Sequence, residues 1–240
     1  MWDDARLLNT LADSLYGVAA LVLLYTVLTM LTRLPVFALR EVELTGRVAR
    51  TTPDQVHAIV AGQLKGNFFT LDLDATRLAF QKLPWVRRAT LRRRWPDRLE
   101  VELEEHVALA RWRDRALVNT YGELFEAATS EMLPVFIAPE GSASEVVQRY
   151  AAFRTELAPL ARQPVQVLVS ARRAWELKLS DGAVLELGRS QMEERLQRFV
   201  RVYSRTLARL PQRPYRIDLR YANGFAVRPQ SVSPPSGGAG

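Results

Sequence analysis

The feature that most constrains this chain is an uncharged stretch of nineteen residues near its N-terminus. The stretch covers residues 14–32, between Asp13 and Arg33, and reads SLYGVAALVLLYTVLTMLT. As an α-helix it would be about 28 Å long, close to the roughly 30 Å hydrocarbon thickness of a bilayer. It is apolar on every face, which a helix with one side in a soluble core does not need. We therefore predict a transmembrane helix over residues 14–32, preceded by a short tail of residues 1–13.

A cleaved signal peptide is the main alternative for this segment. Signal peptides begin with a basic region and end at a cleavage site flanked by small residues. Here Asp3, Asp4 and Asp13 outnumber the single Arg6, and no such cleavage site follows the apolar run. The pattern favours a retained membrane anchor.

The charges around the span bear on its orientation. One arginine precedes the span, Arg6, and four follow it: Arg33, Arg40, Arg47 and Arg50. The positive-inside rule, taken alone, places the region after the helix in the cytoplasm. Long domains are translocated despite such charges, so this rule does not decide the orientation.

Composition narrows the chemistry of the rest of the chain. Of its 240 residues, 48% are hydrophobic and 25% charged, which is typical of folded domains. There is no cysteine, which excludes disulfides, thiolate zinc sites and thiol nucleophiles. The net charge of +7 is compatible with binding to an anionic membrane, a nucleic acid or an acidic protein, and it does not distinguish among these partners.

Residues 37–107 read as a small domain of two helices and three strands. A strand is expected over residues 37–44, followed by a helix that starts at a capping box of Thr52 and Gln55. A second short helix begins at Asp72. The segment ends in a hairpin in which apolar residues alternate with glutamates, as Leu99, Val101 and Leu103 do with Glu100, Glu102 and Glu104.

The loop of this hairpin must contain an odd number of residues. A two-residue turn at Pro96–Asp97 would place Leu91 opposite Glu102, whereas an odd loop pairs apolar with apolar residues. We expect three residues around positions 95–98, with Arg92 opposite either Glu100 or Glu102.

Arginines in the first hairpin strand resemble a nucleic-acid patch when they are read along the chain: Arg87, Arg88, Arg92, Arg93 and Arg94. On the sheet, however, part of this charge faces the glutamates of the next strand and is cancelled. We therefore predict a solvated charged face and no nucleic-acid partner. The order strand–helix–helix–strand–strand resembles the POTRA module, whose sheet edge and helices commonly serve as docking surfaces.

Residues 108–228 predict a second, mixed α/β domain with an antiparallel sheet, which makes the whole chain α+β. Helices are expected over residues 144–160 and 192–210. Strands are expected over residues 109–112, 116–119, 124–126, 165–169, 175–179, 184–187, 216–221 and 225–227. The tail, residues 229–240, has no apolar periodicity and is predicted to be disordered.

The last predicted strand is a candidate binding element. A terminal strand followed by a proline-rich tail leaves one edge of backbone groups without a partner from its own chain. Such an edge suits strand addition by another protein. The alternative is a solvated edge blunted by Arg228 and Pro229.

Catalytic groups are sparse. The chain has two histidines, His57 and His106, and no nucleophile elbow, phosphate-binding loop or His-Glu-x-x-His motif. The acids Glu102, Glu104 and Glu105 lie on one hairpin strand, which suits surface pairing better than glycoside hydrolysis. We expect no enzyme activity, no cofactor and no metal. An anchored peptidoglycan enzyme and a POTRA-containing secretion component remain as alternatives, although secretion components normally carry several POTRA copies or a β-barrel.

An ordered series of short motifs resembles the FtsQ/DivIB family of bacterial cell division proteins. The motifs are Leu83-Pro84-Trp85-Val86, Trp95-Pro96-Asp97-Arg98-Leu99, Glu105-His106, Ala110-Arg111-Trp112, Gly122-Glu123-Leu124-Phe125, Ala171-Arg172-Arg173-Ala174-Trp175, Leu187-Gly188-Arg189 and Asp218-Leu219-Arg220-Tyr221. Each is weak alone, but the series covers residues 37–228 behind a single anchor.

This resemblance implies a scaffold of the bacterial inner membrane at the division septum. The N-terminus would be cytoplasmic and the large region periplasmic. This orientation is opposite to the one that the positive-inside rule gives for the flanking arginines. The scaffold would bind the FtsB–FtsL pair and link early and late division proteins, and other divisome proteins would dock on the POTRA domain.

The resemblance also implies the contact residues. FtsB would pair with the last strand of the second domain, through Tyr221, Asn223, Gly224, Phe225, Ala226 and Val227. Arg172 or Arg173 would pair with an acidic side chain of the partner. Family members can carry a tryptophan just beyond this strand, where this chain has Arg228-Pro229.

Overall fold

The computed structural model describes residues 5–32, 37–63, 67–203, 205, 215–221 and 224–229. The chain divides into two compact units, Met1–His106 and Val107–Gly240. The first begins with helix α1, Ala5–Thr32. Its window Asn9–Leu31 is long and apolar enough to cross a membrane, and none of it is buried within the protein. The predicted apolar helix is therefore present, and it starts several residues earlier than the uncharged stretch.

The remainder of the first unit has the predicted β-α-α-β-β order. The elements are β1 (Glu41–Thr45), α2 (Pro53–Gln63), α3 (Leu73–Gln81), β2 (Val86–Arg94) and β3 (Arg98–Glu105). The strands form a sheet in the order β1-β3-β2, with β1 parallel to β3 and β2 antiparallel to it. The predicted first strand began at residue 37, but the ladder starts at Glu41, because the carbonyl of Phe37 instead accepts a hydrogen bond from the backbone of Phe68.

Local hydrogen bonds set the helix starts where the sequence predicted them. The Thr52 backbone N–H donates to the side chain of Gln55 at 3.0 Å, and the Gln55 N–H donates to the Thr52 hydroxyl at 3.4 Å. The carboxylate of Asp72 accepts from the N–H of Ala75 at 2.9 Å. Both caps satisfy donors that the first helical turn leaves unpaired.

The β2–β3 hairpin has the predicted three-residue loop, residues 95–97. Arg92 pairs with Glu100, which decides between the two registers left open by the sequence. In this register Leu91 lies opposite Val101, so the apolar residues share one face. That face forms the core of the unit together with α3, and its fully buried apolar members are Phe80, Leu99, Val101 and Leu103.

The second unit is built on one nine-stranded sheet. Its strands are β4 (Ala108–Trp112), β5 (Ala116–Asn119), β6 (Leu124–Phe125), β7 (Val135–Ile137), β8 (Pro164–Val169), β9 (Trp175–Leu179), β10 (Val184–Gly188), β11 (Tyr215–Asp218) and β12 (Ala226–Pro229). Helix α4 (Ala143–Leu157) continues into a 3-10 turn, Ala158–Leu160, and α5 spans Met192–Tyr203. The strand order is β12-β11-β10-β9-β8-β7-β4-β5-β6. Both helices contribute to a single core with the sheet.

The sheet contains both parallel and antiparallel pairs, whereas the sequence predicted an antiparallel sheet. Five strand pairs are antiparallel, but β10–β11, β4–β7 and β7–β8 are parallel. Each parallel pair is joined by a helix or a long connection, as parallel pairing requires. Strand β7 was missed because three residues are too few to show periodicity. Helix α5 ends at Tyr203, earlier than the expected residue 210, and residues 206–210 lie outside the described part of the chain.

Candidate functional site

Strand β12 forms one free edge of the nine-stranded sheet. It is antiparallel to β11, with Ala226 opposite Asp218 and Val227 opposite Ile217. In the described part of the chain, no strand pairs with its outer side. The predicted position of the last strand at a sheet edge is therefore confirmed.

The backbone groups of Val227 point away from the sheet. The N–H of Leu219 donates to the carbonyl of Glu186 on β10 at 3.0 Å, so the alternate residue Ile217 also directs its N–H and C=O toward β10. Asp218 therefore faces β12, and the pair Ile217–Val227 is not hydrogen bonded. Pro229 lies two residues beyond Val227, where its missing N–H leaves no gap in the β11 ladder. The edge thus offers the N–H and the C=O of Val227 to a partner strand.

The limits of this edge strand differ from those predicted. Only Ala226 and Val227 of the predicted contact residues belong to β12, and the strand continues through Pro229, which the sequence assigned to the tail. Tyr221, Gly224 and Phe225 lie in the connection between β11 and β12, and Asn223 lies outside the described residues. Arg228 and Pro229 therefore extend the pairing with β11 instead of ending it, because the proline occupies an outward-facing position.

An ion-pair cluster fixes the start of the β11–β12 connection. The Asp218 carboxylate accepts from the backbone N–H of Arg220 at 3.0 Å and from its guanidinium at 2.8 and 2.6 Å. The hydrogen bonds from Arg220 lower the pKa of Asp218 despite its partial burial. Arg220 also lies 3.2 Å from Glu186 on β10. The connection is thus held to two strands of the sheet.

Packing fixes the other end of the connection. The ring of Phe225 meets that of Phe199 on α5 edge to face, with centroids 5.9 Å apart. Leu219 is buried, whereas Tyr221 is 56% exposed. The connection therefore presents the Tyr221 ring to solvent from a backbone that is held on both sides.

A cationic cleft of about 510 Å³ lies between α5 and Arg220. It is lined by Gln191, Glu194, Arg195, Gln197, Arg198, Arg201 and Arg220. Arg220 is already paired with Asp218 and Glu186, but the three arginines of α5 outnumber Glu194, so the cleft attracts acidic groups. No sequence motif marks this cleft, although the i, i+3, i+6 spacing of the three helical arginines places them on one face of α5.

The two arginines predicted to contact a partner lie in the β8–β9 connection. Arg173 has a positive φ of 61° and its guanidinium is 2.8 Å from the carboxylate of Glu145 on α4. Arg172 is exposed. The strand order puts β9 three inter-strand spacings from β12, about 14 Å. The fold thus places both arginines at the sheet end that carries the β11–β12 connection, but not beside β12.

The hairpin acids have structural contacts. Glu104 lies 2.7 Å from Arg87, and Glu102 lies opposite Thr90 on the same strand face. Burial disfavours the charge of Glu105, but hydrogen bonds from the backbone N–H groups of residues 49–51 outweigh this effect and lower the pKa of its carboxyl group. Glu104 contacts β2 and the adjacent Glu105 contacts the segment before α2, so the three acids do not converge across a cleft.

Over the described residues, the fold and the edge define a class of protein: one long apolar helix, a POTRA-like unit and a larger unit with an open sheet edge. Comparison with known families agrees with both units. Residues 37–106 match the model of the POTRA domain, FtsQ-type. Residues 110–220 match the model of Cell division protein FtsQ/DivIB, C-terminal, which stops before β12.

Individual relatives cover nearly the whole chain. Cell division protein FtsQ of Nitrosospira multiformis is 44% identical over 233 residues, which cover 95% of this chain and 99% of the relative. The protein of the same name from Burkholderia pseudomallei is 44% identical over 95% of this chain and 94% of its own length. That from Neisseria gonorrhoeae is 31% identical over 95% of each. The chain belongs to the FtsQ/DivIB family of cell division proteins.

Proposed function

We propose that this division protein is a non-catalytic scaffold that binds the FtsB–FtsL complex by strand addition at β12 and links early and late division proteins at the septum. The observation that carries the proposal is the free edge at Val227, whose N–H and C=O face outward. A partner strand laid along this edge satisfies both groups, and its main-chain hydrogen bonds need no particular side chains.

Side chains around the edge supply specificity. Tyr221 is exposed beside the edge, and the cleft lined by Arg195, Arg198, Arg201 and Arg220 suits an acidic stretch of the partner. We place Arg172 in the same electrostatic role. Arg173 can take this role only if it gives up its ion pair with Glu145. That pair is exposed and therefore weak.

Helix α1 anchors the scaffold in the bacterial inner membrane in this proposal. The N-terminus lies in the cytoplasm and the two folded units lie in the periplasm, where FtsB and FtsL are met. Other division proteins dock on the POTRA unit. Family membership supports this role over a secretion component, and the dispersed hairpin acids support it over a peptidoglycan enzyme.

A proline substitution tests the edge directly. Val227→Pro removes an N–H that faces away from β11, so the native sheet keeps its own hydrogen bonds while a partner loses one. Val227→Ala is the matched control, because it shortens the side chain but keeps the N–H. Affinity for a purified FtsB–FtsL complex is measured with the full chain in lipid nanodiscs, and thermal unfolding verifies the fold.

The expected result is a roughly tenfold weaker Kd for Val227→Pro, the equivalent of one hydrogen bond of about 1.4 kcal/mol. Val227→Ala should stay near the wild-type affinity. Equal affinities for the two variants, with both folded, would show that the partner does not add a strand at β12.

A further inference from the structure

Four aromatic rings form a cluster at one end of the POTRA unit. Phe37 lies 5.1 Å from Phe69 and 6.3 Å from Trp95, and Phe68 lies 5.3 and 5.8 Å from the same two rings. Trp95 is 68% exposed and Phe69 is 48% exposed. Large aromatic side chains in contact with one another and with solvent mark a surface that meets a less polar environment.

Three distant parts of the sequence build this ring cluster. Phe37 begins the chain segment that enters the unit, Phe68 and Phe69 lie in the turn before α3, and Trp95 lies in the loop of the β2–β3 hairpin. Backbone hydrogen bonds join the segments: Phe68 N–H to the Phe37 carbonyl at 2.8 Å, and Arg40 N–H to the Asp97 carbonyl at 3.0 Å. The ring cluster is thus part of the folded domain.

The position of Phe37 in the chain keeps the ring cluster close to the end of α1. Helix α1 ends at Thr32, five residues before Phe37. Five residues span at most about 18 Å when fully extended. The headgroup layer on each side of the hydrocarbon core is itself roughly 5–8 Å thick. If α1 spans a bilayer, the ring cluster lies within reach of that layer.

The opposite end of the same sheet is much farther from the ring cluster. Strand β3 runs from Arg98, next to the hairpin loop, to Glu105. Seven residue steps in a strand cover about 24 Å. Asp54, an exposed residue of α2, follows closely after Thr51, whose N–H bonds to Glu105 at 2.6 Å. Asp54 therefore marks the far end of the unit.

The surroundings of the ring cluster match a phospholipid surface. Tryptophan is the side chain most typical of the membrane interface, since its ring is amphipathic. Exposed arginines flank the rings in the chain: Arg40, Arg94 and Arg98. Arg98 pairs with Glu41 and Glu43 at the surface, and the exposed Arg94 pairs with the partly buried Glu100. The exposed pairs of Arg98 contribute little to stability, so lipid phosphates compete with them readily.

We propose that the ring cluster of Phe37, Phe68, Phe69 and Trp95 docks on the lipid surface of the bilayer that α1 spans. Contact at this point, together with the short tether, holds the POTRA unit end-on against the headgroups. The inference rests on the membrane anchoring proposed above, but not on the binding of FtsB or FtsL. A protein partner for the rings is the competing occupant.

Site-specific fluorescence tests this contact, because the chain has no cysteine and each introduced thiol is unique. The full chain is labelled with the environment-sensitive dye NBD at Phe69→Cys in the ring cluster, at Asp54→Cys at the far end of the unit, or at Val22→Cys in α1. Each protein is reconstituted alone into vesicles of phosphatidylethanolamine and phosphatidylglycerol, with or without doxyl-labelled phospholipid as a quencher. Amide exchange in the β2–β3 hairpin verifies folding of each variant.

The expected result is strong quenching at Val22 and at least about twofold quenching at Phe69, with almost none at Asp54, as an interfacial ring cluster requires. Adding Trp95→Ala to the Phe69→Cys protein should reduce the quenching. Equal quenching at Phe69 and Asp54, with Val22 quenched, overturns the lipid contact, leaves the anchor intact and assigns the rings to a protein partner. An unquenched Val22 overturns the anchoring, and the lipid contact with it.

Discussion

At the scale of single residues, Glu105 shows how a surface acid becomes a structural element. Its carboxylate accepts from the backbone N–H of Ala49 at 2.8 Å, of Arg50 at 3.0 Å and of Thr51 at 2.6 Å. It thereby ties the segment before α2 to the end of β3. The sequence places Glu105 in a run of similar glutamates, and only the folded chain distinguishes it from its neighbours.

Glu105→Gln should lower the free energy of unfolding of the POTRA unit by about 2 kcal/mol at pH 7, because hydrogen bonds to a charged acceptor are the stronger ones. The folded-state pKa of Glu105 lies below its ordinary value of 4.5. Its stabilisation is therefore complete above pH 4.5 and is lost as the pH falls through the folded-state pKa. The difference in free energy of unfolding between wild type and Glu105→Gln should therefore shrink as the pH is lowered. Urea denaturation, monitored by amide exchange in the hairpin, measures this difference at each pH.

Glu41→Gln is the control for this prediction. Glu41 pairs with Arg98 at the surface, and the side chains of the two residues are 53% and 48% exposed. Its substitution should cost well under about 1 kcal/mol, the usual range of exposed pairs. Equal losses for the two variants would contradict the structural role assigned to Glu105.

At the scale of elements, two aromatic residues of the β11–β12 connection have different roles: one holds the edge strand in position and the other is exposed to a partner. Phe225 packs on Phe199 and holds the connection to α5, whereas Tyr221 projects into solvent. Phe225→Ala should loosen the edge strand, with roughly tenfold faster exchange of the Ala226 and Arg228 amides, since an aromatic pair contributes about 1 kcal/mol or more. Tyr221→Ala should leave this exchange unchanged and weaken the binding of FtsB–FtsL.

Hydrogen exchange measured by NMR, together with the affinity of each variant, checks this prediction. Faster exchange in Tyr221→Ala would mean that Tyr221 positions the strand. Full retention of FtsB–FtsL binding by that variant would remove Tyr221 from the partner surface.

The same scale shows which elements were predictable. The capping box of α2, the Asp72 cap of α3 and the three-residue hairpin loop depend on residues close in sequence, and the structure confirms them. The short strand β7 and the true limits of β12 depend on pairing with distant strands. No local pattern records such pairing, so these elements were missed or misplaced.

At the scale of the whole molecule, the orientation of the chain across the membrane can be tested directly. The flanking arginines favour a cytoplasmic large region, whereas the proposed function requires a periplasmic one. We expect alkaline phosphatase fused after Gly240 to be active, because it folds only outside the cytoplasm, and a cytoplasm-dependent fluorescent protein at the same site to be dark. Activity in the opposite pattern would reverse the topology and move the proposed partner surface into the cytoplasm.

The sequence by itself determined the apolar helix, the β-α-α-β-β order of the first unit, the series of motifs typical of the family and the presence of a strand at the C-terminal edge. These follow from hydrophobic periodicity, caps and turns, which are properties of neighbouring residues. Tertiary structure alone decided which backbone groups at β12 face outward, where the cationic cleft lies and which four rings share a surface. The physical reason is that strand pairing and packing join residues far apart in the chain, and only their joining creates an edge, a cleft or a cluster.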